Sequence, residues 1–105
     1  MIERHWKGIA KTEEADHYIQ HLLTETFPQL STITGFIRSS VLRRTVERGI
    51  EFRVVTVWSS VEAIKQFAGE IADLAVVPPH VKKMMVEYDA FAFHYEIVAT
   101  HGTER

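Results

Sequence analysis

The chain has 105 residues, no cysteine and a formal net charge of −2. These values imply one domain, exclude disulfides, thiolate metal sites and cysteine nucleophiles, and leave no basic field for binding nucleic acid. Nothing approaches the ~18 consecutive apolar residues of a membrane span, and MIERHWKG puts charges where a signal peptide needs an apolar run, so a soluble cytoplasmic domain is expected.

Residues 2–9 read as a first strand, with Ile2, Arg4, Trp6 and Gly8 on one face and Glu3, His5, Lys7 and Ile9 on the other. Thr12 is expected to cap a helix whose first turn carries Glu13 and Glu14, the charge sign a helix N-terminus favours. Its apolar stripe is Ala15, Tyr18, Ile19, Leu22, Leu23 and Thr26. Pro28 should limit the helix and Gly35 mark the turn out. Residues 36–44 form a second strand, 46–49 a hairpin turn ending in glycine, and 50–58 a third strand.

In that third strand Phe52, Val54, Thr56 and Trp58 point one way and Val55 and Val57 the other. Ser59, with Glu62 three residues on, reads as the capping box of a helix that ends at Ala68 and is closed by Gly69. Residues 70–77 are apolar but ambiguous. Pro78 and Pro79 open a short helix carrying Val81, Met84, Met85 and Tyr88, and 90–98 form a last strand. One domain over 1–99 and a loose tail over 100–105 are therefore expected.

The order β-α-β-β-α-(α)-β is the split βαβ, or ferredoxin-like, α+β arrangement, with both main helices on one side of a four-stranded antiparallel sheet. The other face would then hold apolar side chains in water, and a homodimer packed through that sheet face is the expected remedy.

This element order, with VTVWSSVEAIKQFAG (55–69), AVVPPHV (75–81) and HYEIV (94–98), resembles the antibiotic-biosynthesis-monooxygenase-like family of the dimeric α/β-barrel superfamily. The resemblance covers residues 2–98. It implies a dimeric barrel with a pocket between sheet and helices in each subunit. It also implies chemistry of three kinds: cofactor-free oxygenation of electron-rich aromatic or polyketide-like molecules, haem degradation, or no reaction at all. The haem-degrading branch relies on an Asn in the first strand, a Trp in the second helix and a His after it. Here those positions fall at Trp6, at Phe67 and at Val77 or Pro78, with His80 the nearest imidazole. Haem degradation is disfavoured on all three, though imidazole is a competent haem ligand.

His94 is the candidate base, because imidazole exchanges protons near neutral pH and cofactor-free oxygenation must first deprotonate its substrate. The plainer alternative is a histidine hydrogen-bonded at the sheet or at a dimer interface. Trp6, Trp58, Phe67, Met85 and Tyr95 are candidate substrate-binding residues for an apolar wall, with Tyr18 aiming a hydroxyl into the same space. For Phe67, as for Phe36, core packing is the competing account. Arg38 could neutralise a phenolate or simply stand in water, and His80 completes the candidate set.

His17 and His21 have the spacing of helical metal ligands, but both should face water with no third ligand nearby, so no metal and no cofactor is expected. His5 approaches His94 only if their faces agree. Arg43, Arg44, Arg48 and Arg53 read as a solvated hairpin rather than a nucleic-acid patch, since Glu47 and Glu51 interleave. A small-molecule ligand is the expected partner besides a second copy of the chain. A non-enzymatic binding or stress-response dimer is the alternative function.

Overall fold

The computed structural model describes residues 1–103. The expected tail is outside any helix or strand from residue 100 to 103, and its last two residues lie outside the described part. Strand β1 (Ile2–Ala10) is followed by a single 3-10 turn, Thr12–Glu14, and by α1 (Ala15–His21). The helix then widens into a π-helical stretch, Leu22–Thr26, and tightens again as α2 (Phe27–Leu30). Two expectations change here. Thr12 makes no side-chain cap, because it lies inside the 3-10 turn. Pro28 does not stop the helix, because it directly follows the π-helical stretch, whose widened turn already departs from the i→i−4 ladder that a proline interrupts.

Strands β2 (Phe36–Val46) and β3 (Gly49–Trp58) form a hairpin around Glu47 and Arg48. Gly49 is required there. Its φ is +153°, and a Cβ would stand 2.2 Å from the Ala10 carbonyl oxygen, a backbone atom that cannot move aside. Helix α3 (Val61–Ala68) is capped by Ser60, whose side chain accepts the Ala63 N–H at 3.2 Å. Ser59 instead donates its backbone N–H to Gly35, so the expected capping box is displaced by one residue and Glu62 cannot close it. Gly69 ends the helix with φ +90°, as expected.

The C-terminal part departs most from expectation. Helix α4 is only Pro79–Lys82, and residues expected to continue it form strand β4 (Met85–Tyr88). Helical spacing of Val81, Met84, Met85 and Tyr88 lost to an open sheet edge: β4 pairs antiparallel with Gly8, Ile9 and Ala10. Strand β5 (Phe93–Glu96) pairs with Ile2 to His5 on the same side of β1. The fourth position of the sheet is thus shared by two short strands, giving five strands in the order β2-β3-β1 and then β4 and β5. Between them Asp89 donates to Lys7, while residues 73–75 bond Ala90 and Ala92 and shield the gap.

The helices cover one sheet face through two adjoining cores. Phe52, Tyr18, Leu22, Val81 and Met85 build the first, and Trp58, Leu30, Ala63 and Ile64 the second. The uncovered face is a mosaic rather than an apolar sheet. Its cross-strand rows run Arg38–Val57–Glu3–Tyr95, Ser40–Val55–His5–Phe93, Leu42–Arg53–Lys7 and Arg44–Glu51–Ile9–Glu87. The hairpin arginines are neutralised locally: Arg44 and Arg53 meet Glu51, Arg48 meets Glu87, and Arg43 lies 3.9 Å from Asp16. No helix among the described residues is long and apolar enough to cross a membrane.

Candidate functional site

A cavity opens between the helix-facing side of β1 and β3 and the cover formed by α1, the π stretch, α3 and α4. Trp6, Val54, Thr56, Tyr18, Leu22, Leu30, Phe67, Val76, Pro78 and Val81 line it, together with the charged Arg4, the imidazole of His21 and the hydroxyl of Thr26. About 60 Å³ is open to the centre of a water molecule, room for several waters but less than a drug-sized ligand fills. A larger occupant must displace the cover.

Arg4 is the residue that the sequence reading passed over. It is 5% exposed, and its guanidinium donates to the carbonyls of Ala72 and Leu74 and to His94 Nε2 at 2.8 Å. It also stands 5.9 Å from the centre of the Phe67 ring. Burial draws its pKa down to about 10, against a smaller opposing pull from Asp73, so it remains a cation at neutral pH. A buried arginine held on fixed carbonyls presents charge without needing to reorganise, which suits an anionic group in the cavity.

His94 lies directly across from Arg4 in the β1–β5 pair, on the helix-facing side, but not in the cavity lining. A guanidinium can only donate, so His94 Nε2 is the acceptor and the ring proton sits on Nδ1. Burial first, and then the charge of Arg4, hold His94 below the ordinary imidazole range. His5 is on the opposite face, paired with Phe93 and stacked edge-on with Tyr95, so the two histidines do not meet.

Of the other expected site residues, Trp6, Tyr18 and Phe67 reach the cavity. The Trp6 indole N–H donates to the Asp89 carbonyl at 2.8 Å, in the gap between β4 and β5. Burial pushes the Tyr18 hydroxyl well above its ordinary range, so it stays protonated. Trp58 sits behind the wall, fully buried, and donates to Thr56 Oγ1 at 2.8 Å. Met85 packs in the first core beneath Gly8. Arg38 and Tyr95 lie on the uncovered face. His80 is exposed on α4, 3.1 Å from His21.

His21 corrects an expectation. Its side chain is 8% exposed rather than turned to water, because α4 packs over that flank of α1, and it lines the cavity. His17 does face solvent, beside Glu14. His21, Glu25 and His80 converge, a grouping that leaves out His17 and so differs from the pair the helical spacing suggested.

No family model matches the chain, and no curated protein is similar to it in sequence. Solved structures are similar in fold. A candidate antibiotic biosynthesis monooxygenase from Bacillus cereus superposes with a TM-score of 0.66 at 21% identity, over 99% of this chain and 97% of that one. A second, from Deinococcus radiodurans, gives 0.65 at 17% identity over 100% of both chains. A point variant of MhuD with two manganese protoporphyrin IX molecules per active site gives 0.62 at 17% identity, over 98% and 100%. At these identities the likeness is one of architecture, and the chain has the α+β fold of the antibiotic biosynthesis monooxygenase structures.

Proposed function

We propose that the chain is a cofactor-independent oxygenase of small, acidic aromatic molecules, acting in the cavity between sheet and helices. The observation that carries this reading is Arg4, a buried cation facing a cavity otherwise walled by Trp6, Phe67, Tyr18 and aliphatic side chains. Such a site favours the enolate or phenolate over its protonated parent, and that anion is the form that can reduce oxygen. In the balanced reaction an aromatic methylene and O₂ give a carbonyl and water. The methylene carbon loses four electrons, one oxygen atom stays on carbon and the other leaves with the two hydrogens.

His94 is the proposed proton acceptor. A ligand carbonyl or hydroxyl oxygen that accepts the Arg4 N–H frees the Nε2 lone pair that Arg4 now occupies, and the ligand's proton can then pass to it as the anion forms beside the guanidinium. Because His94 is held below the usual imidazole value, it stays neutral through pH 7. Turnover should be level from about pH 8 to pH 7 and fall only below the ordinary value of about 6.5. Oxygen uptake with anthrones and hydroquinones as a function of pH checks this, with His94→Ala inactive and His17→Ala unchanged. Saturable, stoichiometric ligand binding without oxygen uptake would replace the reading with a binding module. The likeness to a porphyrin-bearing structure makes haem a further candidate ligand, and a Soret band on titration would favour it. Either occupant exceeds the space beside Arg4 and must displace the cover, a porphyrin by more than an anthrone.

The homodimer is proposed on the exposed Leu42, Phe93 and Tyr95 of the uncovered face. The mosaic of that face requires a partner that matches charge as well as shape, which a two-fold copy supplies. Light scattering is expected to give twice the chain mass of 12.1 kDa, and the Leu42→Lys, Phe93→Lys double variant to give the single mass.

A further inference from the structure

Three electron-pair donors from different parts of the chain meet at the edge of the cavity. His21 Nδ1 lies 3.1 Å from His80 Nε2 and 3.3 Å from Glu25 Oε2, and all three ligand atoms fall within 4.8 Å of one another. We propose that His21, Glu25 and His80 bind one divalent transition-metal ion of the Zn²⁺ class. This site is separate from the oxygenation reading and does not depend on it.

Metal bonds of about 2.0–2.2 Å at tetrahedral angles separate ligand atoms by roughly 3.3–3.6 Å, close to the two spacings around His21. The remaining edge, between Glu25 and His80, closes by rotation of two exposed side chains. Hydrogen bonding alone serves the cluster badly. One proton on His21 Nδ1 cannot be given in full to both a carboxylate and an imidazole, and without that proton a lone pair faces the carboxylate. A cation satisfies all three donors.

Two further features fit a ligand set. Thr26 Oγ1 lies 3.1 Å from His21 Nε2, where it can accept the ring N–H and so turn Nδ1 toward the metal. The π-helical stretch immediately after His21 is the local device that presents Glu25 and Thr26 to the two nitrogens of one imidazole. Two imidazoles and one carboxylate select zinc, cobalt or ferrous ions over magnesium or calcium. Three protein ligands leave a coordination position at the rim of the cavity that His21 and Thr26 line. The ion would tie the helix of the N-terminal half to α4, 59 residues away in sequence.

Titration of the chelator-treated full chain with Zn²⁺, and with Co²⁺ as a visible-absorption probe, tests the site. One equivalent per chain is expected, together with a rise in thermal midpoint. His80→Ala and Glu25→Gln change exposed side chains and should keep the fold, yet each should weaken binding at least tenfold. Thr26→Val should weaken it about tenfold through the orientation of His21. His17→Ala, on the solvent side of the same helix, should bind as the parent does. Absence of saturable one-to-one binding, or affinity unchanged in His80→Ala, would overturn the proposal.

Discussion

Arg4→Met is expected to weaken binding of an anionic aromatic ligand roughly 30-fold or more, the effect of about 2 kcal/mol or greater when one partner of a buried charge contact is removed. The same change should destabilise the fold by about 3 kcal/mol or more. It strips hydrogens from the carbonyls of Ala72 and Leu74 and from His94 Nε2 together, and buried acceptors without donors are costly. Arg4→Lys should fall between the two, since an ammonium keeps the charge but cannot span three acceptors as a planar fork does. NMR titration of His94 separates an electrostatic role from mere packing. Burial and the Arg4 charge both lower its pKa, so losing the charge must raise it. Linkage has a definite sign. His94 in the parent favours folding in its neutral form, so its contribution is complete above about pH 6.5 and is lost as the pH falls below that value. In Arg4→Met this acid sensitivity should shrink. An unchanged His94 titration together with unchanged ligand affinity would remove Arg4 from the site.

Trp58→Ala carries the largest expected loss of stability, about 3–5 kcal/mol. Trp58 has no exposed surface, meets Phe36 edge-on at 5.3 Å, and lies near-parallel to Phe67 at 6.3 Å between ring centres. A cavity at this point removes packing from β2, β3 and α3 at once. For a chain of this length the thermal midpoint should drop by at least about 12 °C in calorimetry. Trp58→Phe is the sharper probe of function. It retains much of the packing but leaves Thr56 Oγ1 without its indole donor, and Thr56 belongs to the cavity wall. A modest stability loss with a larger change in ligand affinity is expected, and equal affinity in Trp58→Phe would show that the Thr56 hydroxyl contributes nothing to the ligand.

The parts of the fold that were legible in sequence are those with strong local codes. The alternation in 50–58, the glycines that end the hairpin and α3, and the stripe Ala15–Tyr18–Leu22 all place their elements correctly. The C-terminal third was not legible, because its outcome is decided by β1. Residues 85–88 have no strong alternation of their own, and become a strand because Gly8 to Ala10 present unpaired backbone. The site was half legible for a similar reason. Trp6, Tyr18 and Phe67 follow from apolar faces and from the family resemblance. Arg4 was visible as the single charge among Ile2, Trp6 and Gly8, a departure from the apolar pattern of the kind that sites as well as strained positions show. His21 needed knowledge of what packs on the flank of α1, which helical periodicity alone does not contain. The partnership with His80 joins segments far apart in the chain, and only the fold reports it.

The divided fourth position of the sheet bears on how copies of the chain can associate by adding strands. One border is interrupted at residues 89–92 and screened there by 73–75, so it offers an incoming strand no continuous run of backbone. The opposite border, β2, is eleven residues long and open. An unlimited fibre needs two competent borders on every unit, one to give and one to receive. Among the described residues the chain has one such border, so strand addition by itself joins no more than two copies.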